Sequence, residues 1–205
     1  MKMFTEKRQE RLFKLVENYY KVNNFDYLHG IDHVKRVVYW TKIISKEEKV
    51  NLSIMIPAAI LHDIALAKYG DSLHARKGET FCQSFLRKTN YTKEEIAKIG
   101  NIIRLHSTDD PIRKRTLEGN ILFDADKMDA VGPIGFVRNI FDKSNKGSEF
   151  IQLGENLSGW LSDRRKKYGS LFFTKTGKKL GRGREKYYEK RFKELIDDLN
   201  KVKKK

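Results

Sequence analysis

Apolar residues recur along this chain at helical spacing and do not alternate as they would in a strand. Over residues 4–20, Phe13, Val16 and Tyr20 fall at i, i+3 and i+7 on one face, with Thr5 placed to cap the start. Over 31–46, His33, Val37, Trp40 and Ile44 form a stripe at i, i+4, i+7 and i+11, which puts a histidine on the buried side near the helix start. The run Ile54-Met-Ile-Pro-Ala-Ala-Ile-Leu61 belongs to a helix over 53–64, capped by Ser53, with Pro57 in its first turn. Another helix is expected over 74–88. Thr92-Lys-Glu-Glu95 has the form of a capping box and opens a helix to about 106, whose inward face carries Ile96, Ile99, Ile103 and His106. Further helices are expected at 117–130, 134–142, 149–166 and 184–202. A turn at Asp109-Asp110-Pro111 and a Gly/Lys-rich loop over 174–183 interrupt them. The expected fold is all-α: one helical-bundle domain with a core at about 25–145 and a basic C-terminal helical appendage at about 149–205.

Length and composition narrow the class. A chain of 205 residues suits one well-buried core. Charged residues make up 34% and hydrophobic ones 39%, and no apolar run approaches the ~20 residues of a membrane span. No apolar segment follows the basic N-terminus as in a secretory signal. The lone Cys82 excludes an intramolecular disulfide and fits a reducing compartment, so a cytoplasmic protein without a membrane partner is expected. Net charge is +16, and half of it falls in residues 175–205, which hold 13 basic and 5 acidic residues. Such a surplus suits nucleic acid, an acidic membrane or a small polyanionic substrate, and charge alone does not choose among them.

The candidate chemistry starts at His62-Asp63, at the end of the apolar run. A histidine and a carboxylate are costly to bury unpaired, and a divalent cation offsets both. His33 and Asp126 come from two other apolar segments, and all five histidines fall within residues 29–106. One His-Asp pair alone is better read as satisfied core. Two imidazoles and two carboxylates on inward faces favour a metal site, and the mixture suits Mn, Fe, Co, Ni or Mg over closed structural zinc. Four ligands leave room for a water and a phosphate oxygen, the requirements of phosphoester hydrolysis at neutral pH.

The order His33…His62-Asp63…Asp126 resembles the H…HD…D signature of the HD-domain metal-dependent phosphohydrolases. Three stretches carry the likeness: His29-x-x-x-His33-x-x-Arg36-Val37, Leu61-His62-Asp63-Ile64-Ala65, and Asp124-Ala-Asp126-Lys127-Met-Asp129 continuing to Arg138. They are similar to the small single-domain subgroup, which includes nucleotide pyrophosphohydrolases. One departure is Gly30, where the subgroup often has Asp. The resemblance implies that His33, His62, Asp63 and Asp126 bind one divalent ion. Some superfamily members add two histidines that bind a second metal, and His74 and His106 fit that order. The preferred reading instead gives His106, Asp63 and Asp129 roles in catalysis, and sets His29, Arg36, His74 and Lys127 against the substrate's phosphates. The implied activity is hydrolysis of a nucleoside triphosphate to the monophosphate and pyrophosphate. Alternatives are a nucleotide phosphomonoesterase, a phosphodiesterase and, from another class, a basic nucleic-acid-binding module on a hydrolase fold.

Overall fold

The computed structural model describes residues 2–23, 25, 28–107, 115–145 and 170–203. Among the described residues there are ten helices and no strand, in agreement with the all-α expectation. They are α1 (Lys7–Val22), α2 (Ile31–Glu47), α3 (Leu52–Leu61), α4 (Leu66–Tyr69), α5 (His74–Phe81), α6 (Gln83–Lys88), α7 (Lys93–Leu105), α8 (Leu117–Ala130), α9 (Gly132–Asn145) and α10 (Lys175–Lys203). The chain clusters into two compact units, residues 1–126 and 127–205, and the boundary falls inside α8. The expected turn at 109–111 and helix at 149–166 lie outside the described residues.

The first unit is organised around α3. A helix that is apolar on every side has to be buried on every side, and Met55 through Leu61 are all buried. Helices α1, α2 and α7 pack against it. Its cap is Asn51, whose side chain accepts from the Ser53 backbone N–H at 2.8 Å, so Ser53 is not the cap. Pro57 therefore stands inside the helix rather than in its first turn, and the Ser53 carbonyl loses its i+4 donor. The helix also stops at Leu61, short of the expected 64, which leaves His62 and Asp63 in the turn toward α4.

A side-chain cap also fixes the start of α7. The box at Thr92 and Glu95 is formed as expected, and Glu95 also takes two bonds from Arg8, at 2.9 and 2.7 Å. That pair ties α1 to α7. Helix α1 begins at Lys7, because Thr5 turns its backbone N–H and hydroxyl onto the buried Gln9 side chain instead of capping with its own oxygen. The helix expected over 74–88 forms as α5 and α6, which meet at Cys82.

In the second unit the expected loop over 174–183 is helical. Thr174 caps α10 by accepting from the Gly177 N–H at 2.8 Å, and the helix runs on from Lys175. Gly181 is not a hinge: its missing side chain admits the Phe172 ring, which a Cβ would overlap. Gly132 has φ +76° and starts α9 two residues earlier than expected. A Cβ on Gly132 would come within 2.9 Å of the Arg184 guanidinium, which donates to the Met128 and Val131 carbonyls at 3.1 and 3.0 Å. Arg184 thereby satisfies carbonyls at the C-terminal end of α8.

Candidate metal centre

Five segments of the first unit converge on one buried point. His33 arrives from the first turn of α2 and His62-Asp63 from the end of α3. His74 is the first residue of α5, His106 caps α7, and Asp126 comes from α8. His33, His62, Asp63, His74 and His106 are all buried, and Asp126 keeps some access to solvent.

The side chains form two groups that share Asp63. On one side, His33 Nε2 and His62 Nε2 lie 3.1 Å apart. Asp63 Oδ2 is 3.2 Å from His62 Nε2 and 3.6 Å from His33 Nε2, and Asp126 Oδ1 is 3.5 Å from His33 Nε2. On the other side, Asp63 Oδ1 lies 3.5 Å from His74 Nε2 and 3.8 Å from His106 Nε2, which are themselves 3.3 Å apart. His33, His62 and Asp63, and separately Asp63, His74 and His106, are each close enough to hold a metal ion.

The histidines are oriented for ligation. The Nδ1–H of His62 donates to the Ala59 carbonyl at 2.9 Å, that of His106 to Ile103, and that of His74 to Asp71. Each ring thus turns its Nε2, the nitrogen left to coordinate a metal, toward Asp63. Backbone carbonyls holding the outer nitrogen in this way are a frequent support of metal-binding histidines. Burial, reinforced by His74 and His62, pushes His106 down to about 3 against the opposing pull of Asp63 and Asp126, so its imidazole is neutral at pH 7. Burial alone would raise the Asp63 carboxyl, but His62, His33 and His74 hold it well below the usual carboxylate range. A carboxylate set among imidazole nitrogens at these distances is a donor set suited to a divalent cation.

The other predicted residues have varied surroundings. The His29 ring meets His33 edge-on with centroids 6.1 Å apart. Arg36, one turn after His33, and Lys127, next after Asp126, are half-buried. Asp129 is fully buried in the second unit and ion-paired with Arg138, so its carboxylate is already occupied. Sequence reasoning missed Tyr20. Its hydroxyl is buried without a hydrogen-bond partner among the described residues, and its ring stacks on Phe25 at 3.7 Å. Burial and the nearby Asp63 charge push the phenol well above its usual range, so it stays protonated.

Comparison with known proteins agrees with this geometry. Residues 30–131 match the HD domain, a stretch that begins just before His33 and ends just after Asp126. The chain belongs to the HD-domain family. The uncharacterized protein YpgQ of Bacillus subtilis is 32% identical over 123 residues, covering 58% of this chain and 59% of YpgQ. The match thus spans about three fifths of that relative's length. Several solved structures share the fold. A predicted HD superfamily hydrolase from an uncultured Thermotogales bacterium has a TM-score of 0.65 at 23% identity, covering 93% of this chain and 92% of that one. YpgQ of B. subtilis in complex with ADP has a TM-score of 0.68 at 20% identity, covering 94% and 95%. No helix among the described residues is long and apolar enough to cross a membrane.

Proposed function

We propose that the chain is a metal-dependent nucleotide phosphohydrolase that converts a nucleoside triphosphate to the monophosphate and pyrophosphate in the cytoplasm. One observation carries the reading: the two oxygens of Asp63 face different pairs of imidazole nitrogens. Bound divalent metal supplies the acidified water and the positive charge that polarises a phosphoryl oxygen. The choice of a nucleotide draws on the sequence resemblance and on ADP bound to B. subtilis YpgQ.

The side chains divide the remaining work. His33, His62, Asp63 and Asp126 would hold the first ion, and Asp63, His74 and His106 would hold a second. The sequence favoured one ion, with His106 in proton transfer and His74 on substrate. The Nδ1 contacts and the shared carboxylate favour the two-ion arrangement. The Ala59, Ile103 and Asp71 carbonyls hold three rings in place through their Nδ1–H groups. His29, Arg36 and Lys127 remain as phosphate contacts, cationic or polar groups suited to charge on the equatorial oxygens. Asp129 is assigned to holding Arg138 instead of accepting a proton.

Incubating the protein with a panel of nucleoside triphosphates and Mn, Mg, Co or Ni, then separating pyrophosphate from phosphate, tests this. Pyrophosphate and a monophosphate in equal amounts are expected. Phosphate alone would indicate a phosphomonoesterase, and no product with any metal would refute the nucleotide assignment.

A further inference from the structure

Helix α10 carries a surface that nucleotide hydrolysis leaves unused. Between residues 175 and 193 there are nine basic and two acidic residues. Lys178, Lys179, Arg182, Lys186, Lys190 and Lys193 are all exposed. At 3.6 residues per turn and 1.5 Å rise they occupy one sector of about 120° and span about 22 Å. The opposite face, with Gly177, Gly181, Tyr188 and Phe192, is buried. Lys190 lies 4.0 Å from Glu194, while the other five make no ion pair with a described residue. Lys178–Arg182, Arg182–Lys186 and Lys186–Lys190 are like-charge pairs at i, i+4, and each destabilises an isolated helix. A row of phosphates would turn that repulsion into attraction.

We infer that this stripe is a docking surface for the phosphate backbone of a nucleic acid. Length excludes a small phosphorylated ligand, which would touch two or three cations and leave the rest unanswered. A membrane is the weaker fit, because an interfacial helix needs an apolar face to insert beside its basic one. Here the apolar face is buried, with Phe192 against Phe136 of α9 and Gly181 against the Phe172 ring. An extended polyanion matches the stripe in charge, in length and in its lack of exposed aliphatic side chains.

Fluorescence anisotropy with a labelled single-stranded RNA of about 20 nucleotides, over a range of salt concentrations, tests the inference on the intact chain. Six neutralised phosphates predict a log–log salt slope of about −4. The triple variant Lys178→Glu/Arg182→Glu/Lys186→Glu should weaken binding at least about tenfold and flatten the slope by about 2. A control of equal charge on α1, Arg11→Glu/Lys14→Glu/Lys21→Glu, should change affinity less than about threefold. If thermal melting shows the stripe variant misfolded, the three glutamine substitutions replace it. The inference is overturned if the wild type shows no salt-dependent RNA binding, or if the control loses as much affinity as the stripe variant. Binding to phosphatidylserine vesicles without binding to RNA would overturn it too.

Discussion

Asp63 presents one carboxylate oxygen to His33 and His62 and the other to His74 and His106. Replacing His74 with alanine should therefore lower bound manganese from about two ions per chain to about one, as read by elemental analysis after gel filtration. An unchanged metal content would remove His74 from the site. The same burial makes the metal-free protein sensitive to acid. His106 holds its proton only below about 3 when folded, whereas an unfolded imidazole takes one near 6.5. The folded state binds fewer protons between those values, so the stabilisation is complete above about 6.5 and is lost as pH falls toward 3. Urea unfolding of metal-free protein at pH 5 should give a stability lower than at pH 7.5 by on the order of 1–2 kcal/mol. Tyr20→Phe removes a buried hydroxyl that has no partner among the described residues, so it should not lower the melting temperature.

Elements place these residues, and here the sequence was legible to different depths. The capping box at Thr92 and the stripe through His33, apart from the half-buried Trp40, were legible because each follows from spacing within one helix. Pro57 is misread because the cap lies two residues earlier than expected, and Gly181 because its meaning depends on a ring outside its helix. Pro57 was assigned to a first turn that in fact begins at Asn51. Gly181 resembled a loop marker yet serves close approach of Phe172. The pairing of His74 with His106 was hidden likewise, since α5 and α7 bring together residues 32 positions apart. Two glycines of α10 should accordingly respond in opposite senses. Gly183→Ala meets nothing within 4 Å and should raise stability by about 0.5–1 kcal/mol through helix propensity. Gly181→Ala gains the same propensity but forces the Phe172 ring aside, and should lower stability by about 1–3 kcal/mol. Thermal melts of the two variants compare them directly.

For the whole molecule, the metal site lies within residues 1–126, while the second unit contains the buried Asp129–Arg138 pair and the cationic helix. Metal that binds only the folded chain adds to its stability by mass action, about 2.7 kcal/mol at a concentration one hundred times the dissociation constant. Manganese should therefore raise the melting temperature, and a chelator should reverse the shift. The most direct test of the account joins metal and chemistry in one protein. Asp63→Asn keeps the shape of the side chain but removes its charge, and its metal content and nucleoside triphosphate turnover can be measured beside the wild type. The account predicts that metal content and turnover fall together while the fold, followed by circular dichroism, is kept. A variant that retained both its metal and its turnover would contradict it.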